Sequence, residues 1–364
     1  MNKQKTILIC PLDWGIGHAS RCVPVIRCLH QLGHRVVIAA DNKPLALLQS
    51  VFPNNEFVRF PGYVPTYSKG NSLVFKMITE APRILKSFSK DKKTVDELIH
   101  QYKIDGLISD NRFGASSSKI PSAFITHQLF IQTPKNLTFA KPIVNYLNHG
   151  YLKKFNEVWI PDFENEPTLS GKLSHSNHDL GLNIHFIGPL SRFSANDANQ
   201  FESFEKIYDI LVILSGPEPQ RTILENLIMN QLKGSSLKAF MIRGLPGEKD
   251  LPTAPVNLTL RNHVNQTEFL QIIASSKHLV SRSGYSTIMD FFALNQHATL
   301  IPTPGQTEQT YLAEHLSKSG LFNFIAQNKF DLTMIDYSQQ KKANNNPKHN
   351  DLLIHRMQSW LSAL

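Results

Sequence analysis

Along most of this chain, short uninterrupted apolar runs alternate with stretches in which apolar residues recur every three or four positions. The opening unit shows the pattern most plainly. Residues 7–10 (Ile-Leu-Ile-Cys) are apolar without a break, as in a strand buried on both faces. A turn over 11–17 contains two glycines, and a helix is predicted over 18–32, where Cys22, Val25, Ile26 and Leu29 fall at i, i+3, i+4 and i+7. Gly33 supplies the stop, and 36–39 reads as the second strand. Further strands are predicted at 57–60, 106–109, 123–126 and 157–160. A polar, turn-rich stretch over 161–183 reads as a long loop, and 191–206, with no period, reads as a linker. A second series then begins, with strands at 210–214, 239–242, 258–260, 278–281 and 298–301 and helices at 222–232, 267–275, 286–294 and 308–319.

Such alternation gives parallel sheets. The expectation is an α/β protein of two Rossmann-like domains, 1–190 and 207–335, joined by the 191–206 linker and facing each other across a cleft. The polar, asparagine-rich segment 341–350 is expected to be mobile. Beyond it Leu353, Met357, Trp360, Leu361 and Leu364 share one helical face, so 350–364 is predicted to form a helix that packs back on the body.

A length of 364 residues suits two separate cores, and no apolar run approaches the roughly 20 residues of a membrane span. The first apolar stretch breaks at Pro11 and Asp13 without a small-residue cleavage site, so it reads as a strand rather than a signal peptide. Three cysteines, Cys10, Cys22 and Cys28, are odd in number and lack metal-ligand spacing. They read as reduced core thiols of a cytoplasmic protein without a metal centre. A net charge of +9 favours anionic partners: phosphorylated substrates, acidic lipid headgroups or nucleic acid. Leu73-Val74-Phe75-Lys76-Met77-Ile78, followed by Arg83, Lys86, Lys90, Lys92 and Lys93, sets an apolar patch beside a basic one. That arrangement suits peripheral contact with an anionic membrane, at the inner face of the plasma membrane, and equally a solvated basic helix over a core-facing stripe.

In open α/β sheets, ligands bind beyond the carboxyl ends of the strands, so the residues just after each strand carry the chemistry. In the first half these are Asp13-Trp14-Gly15-Ile16-Gly17-His18, Asp110-Asn111-Arg112-Phe113-Gly114 and His127-Gln128. Gly15-x-Gly17 lacks the third glycine of a dinucleotide fingerprint, which argues against such a site even with Asp41 at the end of the second strand. The glycines instead let an acceptor approach the backbone, with His18 facing it from the helix start. A helix N-terminus favours a neutral imidazole, able to take a proton. His18 also fits a plain capping or packing role, and His127 is a rival base.

In the second half the strand-end loops are Ser215-Gly216-Pro217-Glu218, Arg243-Gly244, Ser281-Arg282-Ser283-Gly284-Tyr285-Ser286-Thr287 and Pro302-Thr303-Pro304-Gly305-Gln306-Thr307-Glu308-Gln309. The third places small residues at a helix start, a ready anion site for a diphosphate, to which Arg282 would add charge-assisted bonds. It also fits an ordinary turn capped by a serine. Asp290 projects near the same helix start, where a carboxylate accepts from ribose hydroxyls or complements the helix dipole. The fourth loop offers amides and a carboxylate to sugar hydroxyls, compatible with Thr307 as a helix N-cap.

Ser281-Arg282-Ser283-Gly284 with Thr287 and Asp290, then 302–309 and Tyr311-Leu312-Ala313, resembles the donor-binding region of family 28 glycosyltransferases, which include the MurG-type N-acetylglucosaminyltransferases. Gly15-Ile16-Gly17-His18 is similar to the N-domain glycine–histidine loop of that superfamily. The resemblance implies the GT-B fold and an inverting, metal-independent transfer from a nucleoside-diphosphate sugar, usually UDP-linked, with no cofactor. The acceptor would be a sugar, lipid-linked or small-molecule hydroxyl of a cell envelope glycan or other product, and nucleic acid is no partner. Ser283 and Gly284 would contact the diphosphate, Asp290 the ribose, and Gln309 with Glu308 the donor sugar. Ser215, Gly216, Arg243 and Arg282 would complete the donor site. His18 would be the base. Asp110 would orient it, by analogy with plant-type GT-B transferases and by position. Gly15, Gly17, Asn111, Arg112 and His127 would face the acceptor. A GT-B-fold nucleotide-sugar 2-epimerase and a non-catalytic sugar-nucleotide-binding subunit are the alternatives.

Overall fold

The computed structural model describes residues 3–63, 73–194, 197, 204–335 and 349–364. The chain divides into two compact units, Met1–Arg192 with Asn346–Leu364, and Phe193–Asn345. Each is built on one parallel sheet.

The first unit has seven strands: β1 (Thr6–Pro11), β2 (Arg35–Ala40), β3 (Glu56–Arg59), β4 (Gly106–Asp110), β5 (Ser122–Ile125), β6 (Glu157–Ile160) and β7 (Ile184–Phe186). They run in the order β3-β2-β1-β4-β5-β6-β7, every neighbouring pair parallel. Helices α1 (Ile16–Gln31), α2 (Asn42–Val51), α3 (Leu73–Tyr102) and α4 (Lys141–Leu152) make connections between strands. Residues 7–10 of β1 are wholly buried, as an apolar run covered on both faces requires. The stripe Cys22, Val25, Ile26 and Leu29 is buried along α1.

In the second unit β8 (Tyr208–Ile213), β9 (Ala239–Ile242), β10 (Leu258–Arg261), β11 (Ser276–Ser281), β12 (Ala298–Leu300) and β13 (Asn323–Phe324) are ordered β10-β9-β8-β11-β12-β13, again parallel throughout. Its helices are α5 (Gln220–Leu232), α6 (Gln266–Ala274), α7 (Tyr285–Ala293) and α8 (Thr307–Lys318). The last helix, α9 (His349–Ser362), returns to the first unit and contacts α1. Its buried Trp360 packs edge-on against Trp159 at 5.5 Å, and Arg356 donates to Glu157 at 2.5 Å. Gly106 of β4 leaves room for it, since a Cβ there would lie 2.6 Å from the Trp360 ring.

The sequence pattern misses several elements. β7 follows the expected loop over 161–183 and is three residues long, with His185 interrupting the apolar run. β13 is two residues long. α2 and α4 bury few apolar residues, Pro44 and Leu48 in one and Leu152 in the other. The basic residues Arg83, Lys86, Lys90, Lys92 and Lys93 lie exposed on α3, while the side chains of 73–79 lie outside the described residues. Residues 341–348 of the segment expected to be mobile, and 195–196 and 198–203 of the expected linker, also lie outside them. The three cysteines are buried free thiols, and burial pushes Cys10 up to about 12 and Cys28 to about 11.

In both sheets the chain starts in the middle and later crosses to the other side. The switch lies between β1 and β4 in the first unit and between β8 and β11 in the second. Crevices beyond the strand ends at such switch points are where open α/β sheets bind ligands.

Candidate functional site

At the first switch point Pro11 stands beside Asp110 in register, and the Leu12 amide donates to the Asp110 carbonyl at 3.0 Å. Gly15, with φ +143, turns the chain into α1; a Cβ there meets nothing, so the backbone conformation alone calls for glycine. His18 thereby falls in the first turn of α1, which has no acidic residue and no side-chain cap.

Four polar side chains converge there. His18 Nδ1 lies 2.7 Å from Asp110 Oδ1, with His18 one-fifth exposed and Asp110 fully buried. Arg21 forks onto the same carboxylate, Nη2 to Oδ1 at 2.5 Å and Nε to Oδ2 at 3.0 Å. Arg21 Nη2 also comes within 2.7 Å of His18 Nδ1, and Nη1 within 3.1 Å of His127 Nδ1. Burial on its own would raise the Asp110 carboxyl. The Arg21 guanidinium and the His18 contact outweigh it and hold the group below its ordinary value. Asp110 is thus an anion at neutral pH, and both His18 and His127 gather around its arginine.

Arg21 was not among the expected site residues. It lies one turn after His18, so the two share a helix face. It also directly precedes Cys22, the first residue of the buried stripe. An arginine at the edge of such a stripe needs a buried anion, and that is the signal the sequence carried.

The remaining residues expected near an acceptor divide. Asn111 follows β4 with φ +54, its amide donating to the Ile125 carbonyl at 3.1 Å. Gly15 and Gly17 border His18. Arg112 was expected to face the acceptor. It is buried, donates to Asp91 at 2.9 and 3.1 Å and to the Phe60 carbonyl at 2.8 Å, and lies 3.5 Å over the Phe60 ring. A guanidinium so enclosed ties loops together. Asp41, weighed as a ribose ligand, pairs with Arg59 at 2.8 Å.

At the second switch point Gly216 (φ +98) follows β8, and a Cβ on it would stand 3.5 Å from Thr303 Oγ1. β11 leads through Arg282 and Ser283 to Gly284, the N-cap of α7, which has no side-chain cap. Gly284 has φ −70, and a Cβ there would make only an ordinary 3.9 Å contact with Thr287. Neither conformation nor crowding demands glycine at 284. Ser283 Oγ donates to the Gln309 carbonyl at 2.8 Å, and Gln309 Oε1 accepts from the Thr303 amide at 2.9 Å, lacing the β11 and β12 loops together. Thr303 Oγ1 and Ser281 Oγ are buried and have no hydrogen-bond partner among the described residues. Such a group costs about 1–3 kcal/mol unless something supplies one. Thr303 was quoted within its loop but not singled out.

Arg282, expected to bond the diphosphate, keeps a buried Nε without a hydrogen-bond partner among the described residues. It is fully buried, donating to the Gln220 carbonyl at 2.7 Å and to those of Ile301 and Pro302 at 3.2 and 3.3 Å, and burial lowers it to about 10. It braces the loops from within. Arg243 is engaged by Glu225, with Asn262 at 2.6 Å. Asp290 is buried on α7, and Glu308 lies in the first turn of α8, whose N-cap is Gln306 rather than Thr307. Among the described residues no three His, Cys, Asp or Glu side chains group to hold a metal ion, and no helix is long and apolar enough to cross a membrane.

Residues 219–354 match the glycosyltransferase family 28 C-terminal domain. An uncharacterized glycosyltransferase of Methanosarcina acetivorans is 23% identical over 86% of this chain and 83% of its own length. One from Methanosarcina mazei is 21% identical over 86% and 83%. Among solved structures, the calicheamicin glycosyltransferase CalG4 superposes with a TM-score of 0.60 at 14% identity, covering 99% of this chain and 94% of its own. MurG of Acinetobacter baumannii gives 0.59 at 13%, covering 98% and 100%. The chain is a glycosyltransferase of the GT-B fold. The family match covers most of the second unit, with α7 and the 302–309 loop, while the first holds the histidines.

Proposed function

We propose that this glycosyltransferase moves a hexose or N-acetylhexosamine from a UDP-sugar to an acceptor hydroxyl with inversion, His18 serving as base. The observation that carries this reading is the His18–Asp110 contact at the first switch point. An ionised carboxylate has no hydrogen to give, so the proton between them sits on His18 Nδ1 and leaves the Nε2 lone pair to accept one. The acceptor oxygen bonds to C1 of the sugar, its proton passes to Nε2, and the C1–O bond to the diphosphate breaks, releasing UDP. The diphosphate is placed over Ser215, Gly216, Ser283 and Gly284, at the α7 N-terminus, where backbone amides and the helix dipole favour anions. Thr303 Oγ1 has a partner to gain there. Asp290 is assigned to the ribose, and Glu308 and Gln309 to the sugar. Calorimetry of the intact protein against UDP, GDP and CDP should show binding of UDP strongest of the three. Absence of binding by all three overturns the donor assignment. UDP release that needs an acceptor separates a transferase from an epimerase or a binding subunit.

The acceptor reading extends to a lipid-linked hydroxyl reached from the cytoplasmic face of an anionic membrane. Its support is a face of the first unit on which Phe139, Ile143, Tyr146 and Leu147 stand 55–78% exposed along α4 and the turn before it. Lys153 and Lys154 follow that helix. Large apolar side chains beside lysines suit an anionic bilayer surface. At low salt the protein should sediment with phosphatidylglycerol-containing vesicles more than with phosphatidylcholine alone, and Phe139→Ser with Tyr146→Ser should abolish the difference. Equal sedimentation with both vesicles rules the contact out.

A further inference from the structure

Arg21 is the one buried cation that touches every member of the polar cluster at the first switch point. Asp110 lies on its Nε and Nη2 side and His127 on its Nη1 side, with His18 between Arg21 and Asp110. A guanidinium carries only donors, and it is charged under all relevant conditions. Whatever nitrogen faces it must either accept from it or be repelled.

From this geometry we infer that Arg21 is a positioning residue that sets the proton arrangement of the two histidines, His18 as Nδ1–H and His127 as Nε2–H. At His18 the Nη2 hydrogen is drawn to the carboxylate Oδ1, the stronger, charged acceptor. Arg21 and His18 Nδ1 therefore donate side by side to Asp110, and the 2.7 Å approach of Nη2 to Nδ1 is the result of that convergence. At His127 no carboxylate intervenes. Arg21 Nη1 donates directly to Nδ1, so the ring's hydrogen resides on Nε2, where the Gln128 side-chain amide stands 3.5 Å away, and no lone pair remains for an incoming proton. One arginine thus reserves His18 as the acceptor of a proton and makes His127 a hydrogen-bond donor.

The same placement has an electrostatic consequence. Among the described residues, the charged groups in contact with His18 are Arg21 from α1 and Asp110 from the end of β4, with His127, from the loop after β5, held against Arg21. The neighbouring Cys22 thiol is pushed well up, chiefly by burial, and adds no charge. Removing Arg21 leaves the Asp110 anion uncompensated beside His18 and withdraws the donor from His127 Nδ1. Arg21→Met should therefore let the His127 ring hydrogen move off Nε2, while His18 keeps its Asp110 partner.

This rests on the base reading above, yet its test needs no substrate. Full-length protein labelled with ¹⁵N-histidine is followed by long-range ¹H–¹⁵N correlation across pH, with His18→Gln and His127→Gln assigning the two signals. The expected pattern is protonated Nδ1 at His18 and protonated Nε2 at His127, with the Nε2–H form of His127 no longer dominant in Arg21→Met. A protonated Nε2 on His18, or a protonated Nδ1 on His127, overturns the assignment in the wild-type protein, even if Arg21→Met fails to fold. An unchanged Nε2–H His127 in folded Arg21→Met overturns the role given to Arg21. Full turnover in His18→Ala, by contrast, would defeat the base reading and leave the tautomer result standing.

Discussion

His18→Ala should lower turnover by roughly 10²–10⁴-fold, the usual worth of a positioned base. Donor affinity should barely change, because the residues assigned to the donor belong to the other unit. His127→Ala should reduce turnover far less, since the Arg21 contact leaves His127 a donor rather than a base. Asp110→Asn should also reduce turnover less than His18→Ala, because the base remains. It should nonetheless destabilise the fold, stranding a buried arginine that donates to both carboxylate oxygens, which costs about 3–5 kcal/mol. The sign with pH follows from the lowered Asp110 group. Stability from a depressed carboxyl is present above its unfolded value, about 3.9, and is lost as pH falls through the lower folded one. The wild-type advantage over Asp110→Asn in urea should therefore hold from pH 7 to 5 and fade below about 3.9. Turnover and UDP-sugar affinity measured together in His18→Ala, His127→Ala and Asp110→Asn decide the matter. Near wild-type turnover in His18→Ala with a dead His127→Ala would transfer the base to His127.

Most of the sheet framework was legible because parallel strands covered on both faces are apolar without interruption. Residues 7–10 and 239–242 cannot be mistaken for anything solvent-exposed, and the glycines after them mark the loops. β7 and β13 were illegible because two or three residues carry no period. Position in the fold was also legible: His18 and Asp110 follow strands that the topology makes neighbours, and they do meet. What single-sequence reading could not supply was the direction of long cationic side chains. Arg112 and Arg282 stand in strand-end loops, where an arginine facing a ligand and one bracing the loop from within look alike. The structure turns both inward, to Asp91 and Phe60 in one case and to three carbonyls in the other. Arg21 was overlooked for the converse reason. It sits within a helix, where an arginine is normally read as solvated, and its buried partner lies 89 residues away.

Gly284→Asp should abolish donor binding while leaving the fold intact or more stable. The free protein has no use for glycine at this position, because φ is −70 and a Cβ meets only Thr287 at 3.9 Å. Aspartate is moreover among the best N-caps, and α7 lacks a side-chain cap, so the substitution should stabilise the helix by a few tenths of a kcal/mol as a cap and by about 0.3–1 kcal/mol through the helix dipole. The same carboxylate would occupy the place assigned to the diphosphate. Two like charges about 4 Å apart repel by about 4 kcal/mol at an effective dielectric of about 20, roughly 10³-fold in affinity. Gly284→Ala separates bulk from charge: it should weaken UDP by the crowding of one methyl group alone, well short of the aspartate. Thermal melting and UDP calorimetry on the three proteins, in the same buffer, read the two effects independently. A raised or unchanged midpoint together with lost UDP binding fits a diphosphate at the start of α7. Undiminished UDP binding by Gly284→Asp would move the diphosphate elsewhere in the second unit, to the loop after β8 where Gly216 and the unpartnered Thr303 hydroxyl stand together.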